Sequence, residues 1–240
     1  MKRKTIYIIL LLGSWLFSSC IYDEEIEDVE MTTERAILIN INTLASHQAT
    51  SRSISANSEN QVADLYMLMY DASGKFLKYK KASKITNQDT YGQTKTASFP
   101  LETSEVIPSN TILRFYANVD DNVTNFASQL SALVAGTSEI DTFNPVYNAS
   151  TAWNTTSDTN FDKIPMWGGP VDTNDLRTDD PVTLIEGNNS TIKVQLMRAM
   201  ARINVTVQDL TLKVKSVDVY NALSSGYVAS TEENLNGFYV

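Results

Sequence analysis

The segment Leu65-Tyr66-Met67-Leu68-Met69-Tyr70, followed by Asp71-Ala72-Ser73-Gly74, is the stretch that decides the fold class. Its first six residues are apolar or aromatic without alternation, which predicts a short β-strand covered on both faces. The next four residues have turn chemistry, because Asp and Ser side chains bind nearby backbone amides and glycine accepts a positive φ. A strand of this kind needs a layer of protein on each side.

Other segments of the chain also have strand patterns. Residues 36–43 place Ile37, Ile39 and Ile41 on one side and asparagines on the other, which predicts a half-buried strand. Residues 111–119 predict another strand. In residues 192–207 the apolar positions change parity near Leu196, which predicts a bulge or bend there. A last pair of strands is expected at 212–214 and 217–220.

One short helix is expected after the strand at 111–119. Asp121 or Asn122 is the candidate N-cap, the apolar face is formed by Phe126, Leu130, Leu133 and Val134, and Gly136 is the candidate stop. Residues 138–162 are rich in Asn, Thr and Ser and predict a long surface loop. Many short strands, one helix and no βαβ alternation together predict an all-β, antiparallel sandwich.

The amino terminus has the layout of an export signal: Lys2-Arg3-Lys4, an apolar run from position 6 to 17, and Ser18-Ser19-Cys20. The run is shorter than the roughly 20 residues that span a bilayer. This segment resembles a bacterial lipoprotein signal, which implies that Cys20, the single cysteine, becomes the lipidated first residue of the mature protein. The alternative is cleavage elsewhere, with a spare thiol. The acidic residues that follow predict a solvated spacer.

Composition excludes several classes of function. The net charge is −9 and no basic run follows the first residues, so nucleic acid is not an expected partner. One cysteine and one histidine, His47, do not supply a usual zinc site. Motifs for phosphate binding, an activated serine or a metalloprotease do not occur. We therefore expect no enzyme activity, no cofactor and no metal, while Trp153 in the polar segment is a candidate for stacking on a sugar ligand.

Four segments resemble the fimbrillin family of Bacteroidales, which includes major and minor fimbrial subunits: residues 59–71, 115–118, 164–168 and 196–203. The resemblance covers most of residues 36–228. It implies two transthyretin-like β-sandwich domains and export as a lipoprotein to the surface of the outer membrane. It also implies proteolytic cleavage after an arginine and assembly of subunits by strand exchange.

The expected organisation is a signal peptide at 1–20, an acidic spacer at 21–35, a fimbrillin-like β-sandwich at 36–209 and the beginning of a second β domain at 210–240. A sandwich typically takes on the order of 100 residues, so the second domain is expected to be incomplete, as in a fragment or truncated product. The carboxy-terminal strand that family members use in assembly is then expected to be absent.

Residues 36–52 are the candidate removable segment of the first domain. Its apolar face is Ile37, Ile39 and Ile41, and Arg52, surrounded by Ser and Asn, is the candidate cleavage site. Arg35 is the competing site, but a cut there would leave the strand in place. The alternative is that neither arginine is a processing site and that both are ordinary solvated arginines.

The expected function is a structural subunit of a pilus, whose partners are other fimbrial subunits and, through lipid on Cys20, the outer membrane. The alternatives are a lipid-retaining anchor or tip adhesin that binds a host or bacterial surface ligand, and a surface glycan-binding lipoprotein. Retention of Cys20 and the strand at 36–43 in the mature protein would favour the alternatives, and their loss would favour a stalk subunit.

Overall fold

The computed structural model describes residues 34–43, 60–90, 92–148, 163–174, 176–199, 211, 213, 215 and 225–229. The strands in these residues are β1 (Ala36–Asn42), β2 (Leu65–Tyr70), β3 (Phe76–Lys81), β4 (Lys84–Asn87), β5 (Thr94–Pro100), β6 (Ile112–Ala117), β7 (Val146–Asn148), β8 (Met166–Pro170), β9 (Gly187–Asn188), β10 (Val194–Arg198) and β11 (Ser225–Tyr227). The described helices are α1 (Phe126–Ser131) and a 3-10 helix (Ile140–Thr142).

Nine of the described strands form one sheet in the order β3-β2-β6-β8-β10-β1-β5-β4, with β9 paired to β1 beside this path. The two ends of the order are nearly consecutive in the chain. The amide of Ala82 donates to the carbonyl of Leu65 in β2, and the next amide, Ser83, donates to the carbonyl of Ser98 in β5, both at 2.9 Å. The sheet therefore closes on itself around one interior, and the predicted all-β sandwich with a short helix is confirmed.

The strand direction differs from the prediction at one place. β1 pairs antiparallel with β5 but parallel with both β9 and β10. The other pairings of the sheet are antiparallel, among them those of β2 with β3 and β6 and of β8 with β6 and β10. The purely antiparallel sandwich is thus corrected to one in which β1 is parallel to its neighbours on one side.

Buried side chains form two clusters, one on each face of β2. The inner cluster fills the interior of the closed sheet and includes Ile37, Ile39, Ile41, Leu65, Met67, Met69, Phe99, Leu113, Phe115, Met166, Val194 and Leu196. The outer cluster lies between the sheet and α1 and includes Tyr66, Leu68, Tyr70, Phe76, Tyr116, Phe126, Leu130, Phe143 and Trp167. Alternate residues of β2 enter the two clusters, which confirms the prediction of a strand covered on both faces.

The ends of α1 differ from the prediction. The N-cap is Asn125, which has a φ of 59° and makes no side-chain capping hydrogen bond. Asp121 and Asn122, the predicted caps, are engaged elsewhere: Asp121 forms an ion pair, and Asn122 donates its side-chain amide to two backbone carbonyls. The helix ends at Ser131, before Gly136, whose φ is 75°.

The predicted bend near Leu196 is wrong within the described residues. β8 and β10 stay in register from the pair of Val194 with Pro170 to the pair of Arg198 with Met166. Leu196 is buried whereas the next residue, Met197, is 38% exposed, so the second apolar set does not turn inward here. Residues 200–207, 217–220 and 149–162, and most of 212–214, lie outside the described residues.

Residues 225–229 pack against β7 and the outer cluster. β11 pairs with β7, and Val228 and Ala229 belong to the outer cluster. The division of the chain at 209/210 stays a prediction.

Two of the segments that resemble fimbrillins each contain a residue whose identity the structure explains. Asn118 is fully buried with a φ of 57°, and its side-chain amide donates to the carbonyls of Gln61 and Ile164 at 2.8 Å each. Its amide group therefore holds two chain segments together. At Gly168 a Cβ atom would lie 1.8 Å from the carbonyl oxygen of Gln195, so only glycine lets β8 approach β10.

Candidate functional site

The candidate site is the groove that β1 occupies in the sheet. On one side β1 pairs with β5 over seven residues, from Ala36 opposite Pro100 to Asn42 opposite Thr94. On the other side it pairs with β9 at its beginning and with β10 at its end. Among the described strands, β1 alone lies between β5 and β10, so the closure of the sheet depends on it.

The inward face of β1 is anchored by three isoleucines. Ile37 and Ile39 are 0% exposed and Ile41 is 2% exposed, so the predicted half-buried strand is confirmed. Burial of an isoleucine side chain contributes about 1.5–3 kcal/mol, and three therefore contribute about 5–9 kcal/mol. This sum is comparable with the whole stability of a domain, about 5–15 kcal/mol.

The amino-terminal end of β1 is fastened by Arg35. Its guanidinium forms an ion pair with Glu186 at 2.9 Å and donates to the carbonyls of Glu102 and Thr103 at 3.0 and 2.7 Å. The carbonyl of Arg35 accepts the amide of Leu101 at 2.7 Å, which extends the β1–β5 pairing by one step. Arg35 therefore lies in paired backbone that a protease would first have to release.

The carboxy-terminal end of β1 is fastened by Thr43, which is 1% exposed. Its amide donates to the carbonyl of Gln93 at 2.9 Å, and its hydroxyl donates to Oδ1 of Asn60 at 3.1 Å. The same Oδ1 accepts a hydrogen bond from Arg198 at 2.6 Å. Thr43 thus joins the end of β1 to the hairpin after β4 and to the end of β10.

Asn189 holds the loop between β9 and β10 against β1, and sequence reasoning missed it. Its backbone amide donates to the carbonyl of Leu38 at 3.0 Å, and its side chain donates to the carbonyls of Ile185 and Gly187 at 2.9 and 3.0 Å. The signal that could have found it is the sequence Gly187-Asn188-Asn189, which is typical of a tight turn.

Asp120, Asp121 and Asp179 are ion-pair partners of basic side chains. Asp120 accepts the hydroxyl of Tyr66 and the amine of Lys81, both at 2.6 Å. Burial raises the pKa of Asp120, but these hydrogen bonds outweigh it and hold the pKa below its usual value. Burial and the contact with Asp120 raise the pKa of Tyr66 to about 12. Neither group changes protonation near neutral pH, so this trio is suited to a structural role and not to acid–base catalysis.

Arg114 and Arg177 share Asp179, at 3.0 and 2.6 Å, and both guanidinium groups lie over the ring of Trp167. Trp167 is 4% exposed and belongs to the outer cluster. Asp179 is therefore a shared ion-pair partner of two arginines.

Other predicted site residues fall outside the described part of the chain. Cys20, Arg52, Trp153 and His47 lie outside it, so their roles stay predictions. Within the described residues, no group of three or more His, Cys, Asp or Glu side chains is placed to hold a metal ion. In the same residues, no helix has both the length and the apolar character needed to cross a membrane.

The family model for fimbrillin-A associated anchor proteins Mfa1 and Mfa2 matches residues 50–237. The chain belongs to this family. Its resemblance to Bacteroidales fimbrillins is thereby confirmed, and a fimbrial role at the cell surface follows at the level of the family. The match to the family model begins at residue 50, between β1 and β2, so β1 lies outside the matched region.

A fimbrial assembly protein from Parabacteroides distasonis ATCC 8503, solved as a crystal structure, is similar to this member of the family. The sequence identity is 12%, the TM-score is 0.33, and the similarity covers 68% of this chain and 53% of that one. This chain therefore spans about half of the length of that protein. No curated protein matches the chain.

Proposed function

We propose that this chain is a structural fimbrial subunit, without catalytic activity, that is exported as a lipoprotein and joins other subunits by exchange of β1. The observation that carries the proposal is the position of β1 in the sheet. It supplies three buried isoleucines and lies between β5 and β10. Replacement of this one strand by another would restore the same sheet.

The exchange requires a cut between β1 and β2. Cleavage after Arg52 would leave residues 36–52 held by non-covalent contacts alone. Departure of this segment would open the interior and expose the backbone edges of β5 and β10. Unpaired edges beside an apolar groove are a template for a strand from another chain, which would add main-chain hydrogen bonds and fill the groove with alternate side chains.

Limited digestion with an Arg-specific protease tests this mechanism. We expect the first cut after Arg52, because Arg114 and Arg198 lie in strands and Arg35 is held in paired backbone. The matched control is Arg52→Lys, which keeps the charge but is not a substrate for the protease. The cut chain should unfold at a lower urea concentration than the intact chain once the released segment has been removed.

Fibre assembly gives the decisive outcome. The Arg52→Lys variant should stay soluble and monomeric, while the wild-type chain should polymerise after cleavage. If Arg52→Lys enters fibres as well as the wild type does, or if the protease leaves Arg52 intact in the folded chain, strand exchange after this cut is refuted.

The second candidate function is an anchor that keeps β1 and its lipid, and the description of the matching family favours it. Cys20 and β1 lie on the same side of Arg52, so an uncut chain would remain tethered to the membrane through β1. The intact mass of the surface-extracted protein separates the two candidates. A mass that begins at lipidated Cys20 supports the anchor, whereas a mass that begins at Ser53 supports the exchanged subunit.

Lipidation is tested independently of assembly. Cys20→Ala should abolish labelling by an alkyne-tagged fatty acid, because the thiol is the acceptor of the lipid. Ser19→Ala is the matched control and should keep its label. Undiminished labelling of Cys20→Ala would remove the lipoprotein proposal and leave the fold unaffected.

A further inference from the structure

A cavity of about 380 Å³ lies where the β4–β5 hairpin meets the chain leading into β2. It is lined by Gln61, Val62, Ile85, Asn87 and Lys95. Val62 and Ile85 pack against the inner cluster, so the cavity lies at the margin of the interior. Its volume is within the range of about 300–1,000 Å³ that is usual for small-molecule sites.

Among the described residues that line this cavity, Lys95 is the charged one, and it is a buried cation. It is 3% exposed and lies on the inward side of β5 with Ala97 and Phe99. Its amine donates to Oδ1 of Asn87 at 2.6 Å, so this partner is a neutral amide. Burial lowers the pKa of Lys95, and attraction to Asp89 offsets part of that effect.

The carboxylate of Asp89 is engaged in the turn of the hairpin. One of its oxygens accepts the amide of Gln93 at 3.0 Å, and the other accepts the amide of Thr94 at 2.5 Å. Asp89 thus attracts Lys95 electrostatically, and its oxygens also hold the turn. A buried ammonium group with a neutral hydrogen-bond partner is stabilised when an anion reaches it.

We propose that this cavity binds a carboxylate, with Lys95 as its cationic partner. Oδ1 of Asn87 accepts from the lysine. Asn87 and Gln61 both line the cavity, and the side chain of each carries an NH₂ group that can donate. One ammonium group and two neutral amides match a single negative charge. A phosphate ester, with nearly two charges, usually needs several cations or a bidentate arginine.

The carboxylate has two sources that fit this chemistry, a free carboxylic acid or an acidic side chain of a peptide. The peptide source is suggested by the position of the cavity beside the end of β1. Lys95 is directly opposite Ile41 in the β1–β5 register, and Gln93 of the same hairpin accepts the amide of Thr43. The site exists with β1 in place, so the inference does not rest on strand exchange.

Titration of the intact chain, observed through the side-chain NMR resonances of its lysines, tests the proposal. The probes are acetate and a capped Gly-Glu-Gly peptide, with sodium chloride at equal ionic strength and the matching Gly-Gln-Gly peptide as controls. We expect a saturable shift of the Lys95 resonances with a dissociation constant of about 1 mM or weaker for acetate, because four non-hydrogen atoms make few contacts. Tighter binding of the glutamate peptide identifies a protein source, and binding of acetate alone identifies a free acid.

Variants locate the binding at Lys95. Lys95→Gln should weaken acetate binding by about tenfold or more, since it removes the charge and keeps an amide donor. Lys84→Gln, on the exposed strand β4 of the same hairpin, is the matched control and should bind as the wild type does. The proposal is overturned if neither probe shifts Lys95 in the wild-type chain, if chloride has an equal effect, or if Lys95→Gln binds acetate unchanged.

Discussion

Shortening the central isoleucine of β1 should destabilise the whole domain. Ile39 is 0% exposed and lies opposite Ala97, a side chain too small to fill the space that Ile39→Ala would leave. Substitutions of this kind in a core cost about 2–5 kcal/mol, because transfer free energy is lost and a cavity is left behind. We expect about 3 kcal/mol, a large part of the 5–15 kcal/mol that usually stabilises a domain.

Urea denaturation measures this effect. With a slope of about 1–3 kcal/mol per molar urea, the midpoint should fall by about 1–3 M while the slope stays the same. The matched control is Ile185→Ala, which makes the same substitution at a side chain that is 55% exposed and should change stability by less than about 0.5 kcal/mol. Equal midpoints for the two variants would refute the conclusion that β1 is an integral part of the core.

The remaining predictions concern close packing, acid stability and metal content. Gly168→Ala should abolish cooperative unfolding, since its Cβ would lie 1.8 Å from a backbone oxygen, and a wild-type urea midpoint would contradict this. Burial raises the pKa of Glu105, but hydrogen bonds from Lys78 and Lys80 outweigh it and lower the pKa from 4.5 to about 2. These ion pairs should therefore stabilise the fold by about 1 kcal/mol above pH 4.5 and lose this effect as the pH falls towards 2. The stability difference between the wild type and Glu105→Gln should shrink over this window, and a constant difference would refute the assignment. After dialysis, metal analysis should find less than one zinc per chain. One tightly held zinc would contradict the expectation that this chain, with one cysteine and one histidine, has no zinc site.

Local patterns predicted the strands whose burial is regular. The alternation of isoleucines and asparagines in β1 and the apolar run of β2 both correspond to strands with the predicted burial. β5 was not predicted, because Lys95 stands at an inward position and breaks the alternation that Ala97 and Phe99 would otherwise show. An inward lysine is uncommon, and at this site it faces a cavity.

Pairing between distant strands was not accessible from sequence. The parallel direction of β9 and β10 beside β1 depends on contacts between opposite ends of the domain, which no local pattern contains. The bend expected near Leu196 failed for a related reason. A parity change in the apolar residues suggests a bend, but Met197 stays exposed because β8 keeps β10 in regular register through Arg198.

The geometry of β1 also determines how the domain responds to mechanical tension. In a chain that is pulled at its amino-terminal side along the direction of β1, the force enters at the Arg35 end of the strand. The seven pairs with β5 then resist in shear, all at once, instead of unzipping one after another. The ion pair of Arg35 with Glu186 is stretched first, ahead of the strand. An anchor of the kind proposed above, which keeps β1, would therefore be suited to transmit tension between a membrane and a fibre. Force spectroscopy should show a single high rupture peak when the pull is applied there.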